Sequence, residues 1–173
     1  LTPMAYLKIV KYPDPLLNKL CSNVKINLKK ELNQFKEIQQ LIDRMFDTMH
    51  FYGGIGLAAP QIGVSMRVIV VDTQDGHKYS MINPRIVSME GTIETLEGCL
   101  SFPNMRAYVP RKSQMVVSFI NYEGQKRTIS VKNTLAVAIQ HEIDHLNGVL
   151  FTDRMSNLQK NRIIKKMKKV YMN

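Results

Sequence analysis

The chain has 173 residues, 45% of them hydrophobic and 22% charged, enough for one domain with a packed core and cramped for two. No apolar run reaches the roughly 20 residues of a membrane-spanning helix, so no membrane association is expected. The formal net charge of +10 is the unusual bulk property, and it leaves a polyanionic partner open.

The N-terminal LTPMAYLKIV has no long apolar core. Secretion is therefore not expected, and the compartment is read as a reducing one: the cytoplasm, or an organelle stroma or matrix if the source is eukaryotic. Met4 reads as the native start and Leu1–Pro3 as expression remnants. After the turn at YPDP (Tyr12 to Pro15), the spacing of Leu32, Phe35, Ile38, Ile42, Met45 and Met49 predicts a helix over Leu28 to His50. GGIGLAAP then breaks it into a glycine-rich loop, in which Ile55 to Leu57 can offer an unpaired strand edge to an extended peptide.

Strands are expected at Val68 to Val71, Tyr79 to Asn83, Ile86 to Ser88, Thr92 to Leu96, Met115 to Ile120 and Lys126 to Val131. Turns fall at Asp75-Gly76 and at Tyr122 to Gln125, and EGCLSFP reads as a compact turn holding Cys99. Asn133 or Thr134 is expected to cap a helix through Leu135, Ile139 and His145 that stops at Asn147-Gly148. A last basic helix covers 156–173, with Ile163, Ile164, Met167, Val170 and Tyr171 on one stripe. The fold class is α+β: one domain over 1–173, with short antiparallel or mixed strands around a central helix and a helix at each end.

That central helix carries QHEIDHLNG. One turn is 3.6 residues, so His141 and His145 share a face about 6 Å apart and can hold one tetrahedral ion. Glu142, rotated by about 100°, is poorly placed as a third ligand on that face but well placed to reach a water beside it. Two surface histidines at chance spacing are the plainer reading. Against it, polar residues on a buried helix are costly unless they have partners.

A catalytic ion usually takes three protein ligands and keeps one position open. Downstream of Gly148 there is no histidine and no glutamate, and Asp153 is the only acid. Upstream candidates are His50, His77 and Cys99, the two histidines expected to be exposed. Two cysteines, Cys21 and Cys99, are too few for a disulfide scaffold. Cys99 is thus either a small buried apolar residue or a thiolate ligand.

Together GIGLAAPQ (Gly54 to Gln61), EGCLS (Glu97 to Ser101) and QHEIDH (Gln140 to His145) resemble the peptide deformylase family, in order and approximate spacing. The similarity runs from KIVKYPDPLL to FTDRMS. It implies a bacterial-type amidohydrolase, acting in translation, that removes the N-terminal formyl group from nascent chains beginning with formyl-methionine. It also implies one divalent metal per chain, natively Fe²⁺, with Zn²⁺, Ni²⁺ or Co²⁺ able to replace it.

Carried over by motif, Cys99, His141 and His145 are the ligands and Glu142 is the general acid/base. Gln61 and the Leu100 backbone N–H form the oxyanion hole. Gly54, Ile55, Gly56, Arg106 and Val137 contact the peptide. Where many members have an acid before the first glycine of this stretch, the chain has Gly53, which puts an ion pair to Arg106 in doubt.

Two other readings compete: an endopeptidase of the H-E-x-x-H class, and a basic ribosome- or RNA-binding module with a structural metal. The Lys165 to Lys169 cluster is expected to meet the ribosome surface, and no specific DNA binding is expected.

Overall fold

A computed structural model describes residues 6–26 and 32–171. The predicted helix start at Leu28, the residues Leu1–Pro3 and the last two residues of the tail lie outside them. Among the described residues, three α-helices, α1 (Leu32–Phe51), α2 (Asn133–Leu146) and α3 (Asn157–Tyr171), pack against seven strands. These are β1 (Gly56–Ala58), β2 (Val68–Asp72), β3 (Lys78–Glu90), β4 (Ile93–Cys99), β5 (Phe102–Arg111), β6 (Gln114–Ile120) and β7 (Lys126–Lys132). A five-stranded sheet has the order β1-β2-β3-β6-β7, and β4-β5 form a separate pair. All these strand pairings are antiparallel, and an isolated parallel bridge joins Ser22 to Met66.

The larger sheet lies between two helices. In β2, Ile69 and Val71 join the core under α2, whereas Val68 and Val70 join the core under α1. That is why the segment is a continuous apolar run: a strand covered on both faces has no polar side. On α1, Phe35, Ile38, Ile42, Met45 and Met49 supply the buried stripe.

Several expectations change. Tyr79 to Asn83 and Ile86 to Ser88 belong to one strand, β3, whose register shifts around Pro84. Proline cannot donate to a ladder, and a bulge accommodates it. The loop reading of GGIGLAAP is corrected: Gly56–Ala58 is a strand and Ala59–Ile62 a 3-10 turn. Phe102–Arg111 is a strand despite Pro103 and Pro110. No side chain caps α2, and Asn133 itself has φ 57. In the tail, Ile163 and Met167 are buried beside Phe102, Val109 and Phe151, but Val170 is exposed.

Candidate metal centre

Helix α2 is buried at every position from Leu135 to Leu146. Leu135, Ala136, Ile139, Ile143 and Leu146 sit in the core against the large sheet. His141 lies on another side, where Phe151 packs edge-on against it with ring centroids 5.8 Å apart. His141 and His145, one turn apart, have ring centroids at 5.1 Å.

Cys99 ends strand β4; it is not in the turn itself. Gly98 pairs with Arg106, but Cys99 pairs with Phe102, so three residues of β5 bulge out between these pairings. The bulge re-aims the strand end. The neighbouring turn is tied to the N-terminal segment: Tyr12 N–H donates to the Ser101 carbonyl at 3.0 Å, and the Ser101 hydroxyl donates to the Val10 carbonyl at 2.7 Å. Sulfur and imidazole thereby meet, with Cys99 Sγ 3.4 Å from His145 Nε2. One ligand atom from each of Cys99, His141 and His145 lies within 4.8 Å of the others.

Gln61 stands beside this trio. Its Oε1 accepts from the Ala58 N–H at 3.0 Å, which fixes the amide so that Nε2 faces Ser101 Oγ at 3.1 Å and Cys99 Sγ at 3.7 Å. Gly56 lies against Glu142: a Cβ there would overlap the carboxylate. Gly54 is similarly close, its Cβ position 3.0 Å from Leu100 Cδ1. A cavity of about 620 Å³ is lined by Gly54, Ile55, Gly56, Leu100, Arg106 and Val137, with the catalytic candidates at its floor.

Behind the histidines runs a buried ion-pair network to which the sequence reading gave no role. Glu97 Oε1 accepts from His141 Nδ1 at 2.8 Å, fixing the tautomer so that Nε2 is free for a metal. Arg111 binds both Glu97 oxygens, at 2.8 and 2.9 Å, and reaches Asp144 at 2.6 Å. Arg154 holds Asp144 from outside at 2.8 Å. Burial pushes Glu97 up, yet Arg111 and His141 outweigh it and hold its pKa below the usual range. Glu97 and Asp144 stand inside EGCLS and QHEIDH, so the signal was their presence in those stretches.

Burial pushes Glu142 up to about 7. Burial and the neighbouring His141 and Arg111 charges drive His145 well down, keeping its imidazole neutral as a ligand requires. In the metal-free chain His141 is held well above its ordinary value, because Glu142, Cys99 and Glu97 outweigh the lowering by burial; a cation bound at Nε2 would displace that proton. Glu142 Oε1 and His145 Nδ1 are the buried side-chain polar atoms without a protein partner among the described residues. A soft thiol, two imidazoles and a carboxylate oxygen left without a donor fit a divalent cation with an adjoining water.

The other third-ligand candidates are elsewhere. His50 Nε2 pairs with Asp72 at 2.8 Å, and His77 Nδ1 with Asp75 at 3.0 Å. Asp153 accepts from Leu150 N–H and from Lys160. No helix among the described residues is long and apolar enough to cross a membrane.

The family model described as polypeptide deformylase matches residues 6–161. A peptide deformylase of Buchnera aphidicola is 43% identical over 169 residues, covering 96% of this chain and 94% of its own length. A crystal structure of a peptide deformylase from Legionella pneumophila matches with a TM-score of 0.85 at 40% identity, covering 95% of each chain. One from Ehrlichia chaffeensis in complex with actinonin also gives 0.85, at 36% identity and covering 98% of this chain and 100% of that one. The similarity spans both sheets and all the residues of the centre, and the endopeptidase and RNA-module readings are not favoured. The chain belongs to the polypeptide deformylase family.

Proposed function

We propose that the chain, acting as one catalytic unit, removes the formyl group from formyl-methionine at the N-terminus of nascent polypeptides and releases formate. The observation that carries this is the approach of the Cys99 thiol to His145 and His141, with Glu142 and Gln61 beside them. Cys99, His141 and His145 would hold one divalent cation, natively Fe²⁺. A cation held there supplies Lewis acidity, making water a stronger acid and a carbonyl carbon a better electrophile.

The chain's own residues do the rest. Glu142 takes a proton from the attacking water and later returns it to the departing amine. Burial raises the Glu142 pKa in the metal-free chain, the direction that makes its carboxylate a better proton acceptor. Gln61 Nε2–H and the Leu100 backbone N–H donate to the formyl oxygen as charge gathers on it; one such donor is worth on the order of 3 kcal/mol. Strand β1 is an edge strand of its sheet and, among the described residues, β4 pairs only with β5; residues of both line the cavity. An extended peptide can therefore lie between two strand edges, Gly54, Ile55 and Gly56 on one side. Val137, Ile55 and the His141 ring form an apolar recess for the methionine side chain, and Arg106 stands at the rim.

The exposed lysines Lys165, Lys166, Lys168 and Lys169 of α3 attract the ribosome surface, where substrates emerge in the cytoplasm. Neutralising them should weaken ribosome co-sedimentation and leave turnover of a short peptide intact; unchanged sedimentation would refute that role.

The reading as a whole is tested by formate release from formyl-Met-Ala-Ser with Fe²⁺ supplied anaerobically. Wild type should release formate and Glu142→Ala should not. Absence of formate with the wild type, or cleavage of internal bonds instead, would overturn it.

A further inference from the structure

The cavity has an uneven distribution of charge. Its acidic lining residues are Glu97 and Glu142. Glu97 is fully engaged by Arg111 and His141, and Glu142 lies at the floor among the metal-ligand candidates. The basic lining residues other than His141 are Lys8, Lys11 and Arg106, all exposed. None of the three has an ion-pair partner among the described residues.

They stand on different walls. Lys8 and Lys11 flank Ile9 on the N-terminal segment, which is bonded to Gln61 through the Val10 N–H at 2.7 Å. Arg106 is on β5, directly opposite Gly98. Gly53, which also lines the cavity, brings no charge to it.

We infer that this rim selects formyl-methionyl peptides with an acidic side chain at the second or third residue. This rests on the deformylase reading and specifies its substrate class. A peptide seated between β1 and β4 advances about 3.3 Å per residue, so its second and third side chains pass the rim while the formyl group stays at the floor. Three cations without an ion-pair partner among the described residues, in a cleft with low-dielectric walls, focus a positive potential there. An Asp or Glu brings a countercharge without displacing an existing partner, whereas a Lys adds repulsion. Exposed pairs are individually weak, so the expected effect is about three- to tenfold rather than absolute selection.

The experiment compares kcat/KM for formate release from formyl-Met-Asp-Ser and from its uncharged isostere formyl-Met-Asn-Ser, and likewise formyl-Met-Ala-Asp against formyl-Met-Ala-Asn. Formyl-Met-Ala-Ser serves as the reference. At low ionic strength the acidic peptide of at least one pair should be favoured about threefold or more. The ratio should fall towards one in about 1 M salt, where screening acts over about 3 Å. It should also approach one in the combined variant Lys8→Gln, Lys11→Gln, Arg106→Gln. Because each ratio is taken within one enzyme, any loss of general activity in the variant cancels.

A ratio of one or below for both pairs, with formyl-Met-Ala-Ser still turned over, would overturn the inference and leave the deformylase reading intact. A preference that survives both salt and the triple substitution would overturn it too. No formate from any peptide would bring down the deformylase reading and this inference with it.

Discussion

Cys99 Sγ lies 3.4 Å from His145 Nε2, although 46 residues separate them in the chain. A strand end and a helix interior are brought together there by the bulge in β5 and by the seating of α2 on the large sheet. The site is thus a product of tertiary packing, and its parts fail in distinguishable ways.

Glu142 is assigned the proton transfers. Glu142→Gln keeps the shape and removes the base, so kcat should fall by about 10²- to 10⁴-fold while the metal content measured by emission spectroscopy stays unchanged. Near-normal turnover in this variant would transfer the role to another group.

Gly56 exists to leave room. Gly56→Ala places a methyl group against the Glu142 carboxylate, which must move. A displacement of about 1 Å can cost roughly 10²-fold in rate. Steady-state kinetics should therefore show a large kcat loss, with a stability cost of about 1–3 kcal/mol by urea unfolding. Unaltered kcat would mean that the carboxylate position is not critical.

Glu97 anchors His141 and neutralises Arg111. Glu97→Gln weakens the His141 contact and leaves the buried Arg111 facing Asp144 alone. Metal retention against a chelator should fall by about 10- to 100-fold, and unfolding should cost about 3 kcal/mol less. Equal retention in wild type and variant would show that the network is only structural.

A bound ion adds stability through mass action. Zinc at about 100 times its dissociation constant should stabilise the metal-free protein by about 2.7 kcal/mol, read from thermal unfolding. Cys99→Ala should lose most of that gain. The same gain in both proteins would remove the thiol from the ligand set.

The exposed His50–Asp72 pair offers a pH test away from the site. The His50 hydrogen bond is the largest of the influences that hold the Asp72 pKa below its ordinary 3.8. A depressed carboxyl pKa contributes stability above the unfolded value, and that contribution is lost as pH falls through the folded one. His50→Asn should therefore cost at most a few tenths of a kcal/mol at about pH 6, and that cost should vanish as pH falls through the depressed Asp72 pKa, with metal content unchanged. Loss of metal would reinstate His50 as a ligand.

Helix α2 was legible because its chemistry is local: His141, Glu142 and His145 fall within two turns, and periodicity alone puts them together. The buried run of β2 was legible for the same reason. Strand β5 was not. Pro103 and Pro110 argue against a strand, although the alternation of Met105, Ala107 and Val109 with Arg106 and Tyr108 was there to be read. Cys99 stood among the third-ligand candidates with His50 and His77, but only the family resemblance singled it out, since no spacing rule links it to His145. Arg111 follows a proline and looks like a surface cation; its burial depends on a register between β4 and β5 that local sequence does not encode.

X-ray absorption at the zinc edge of the zinc-loaded protein would test the account most directly. One sulfur at about 2.3 Å together with two imidazole nitrogens near 2.1 Å is the predicted coordination shell. A shell of nitrogen and oxygen alone, unchanged in Cys99→Ala, would contradict it.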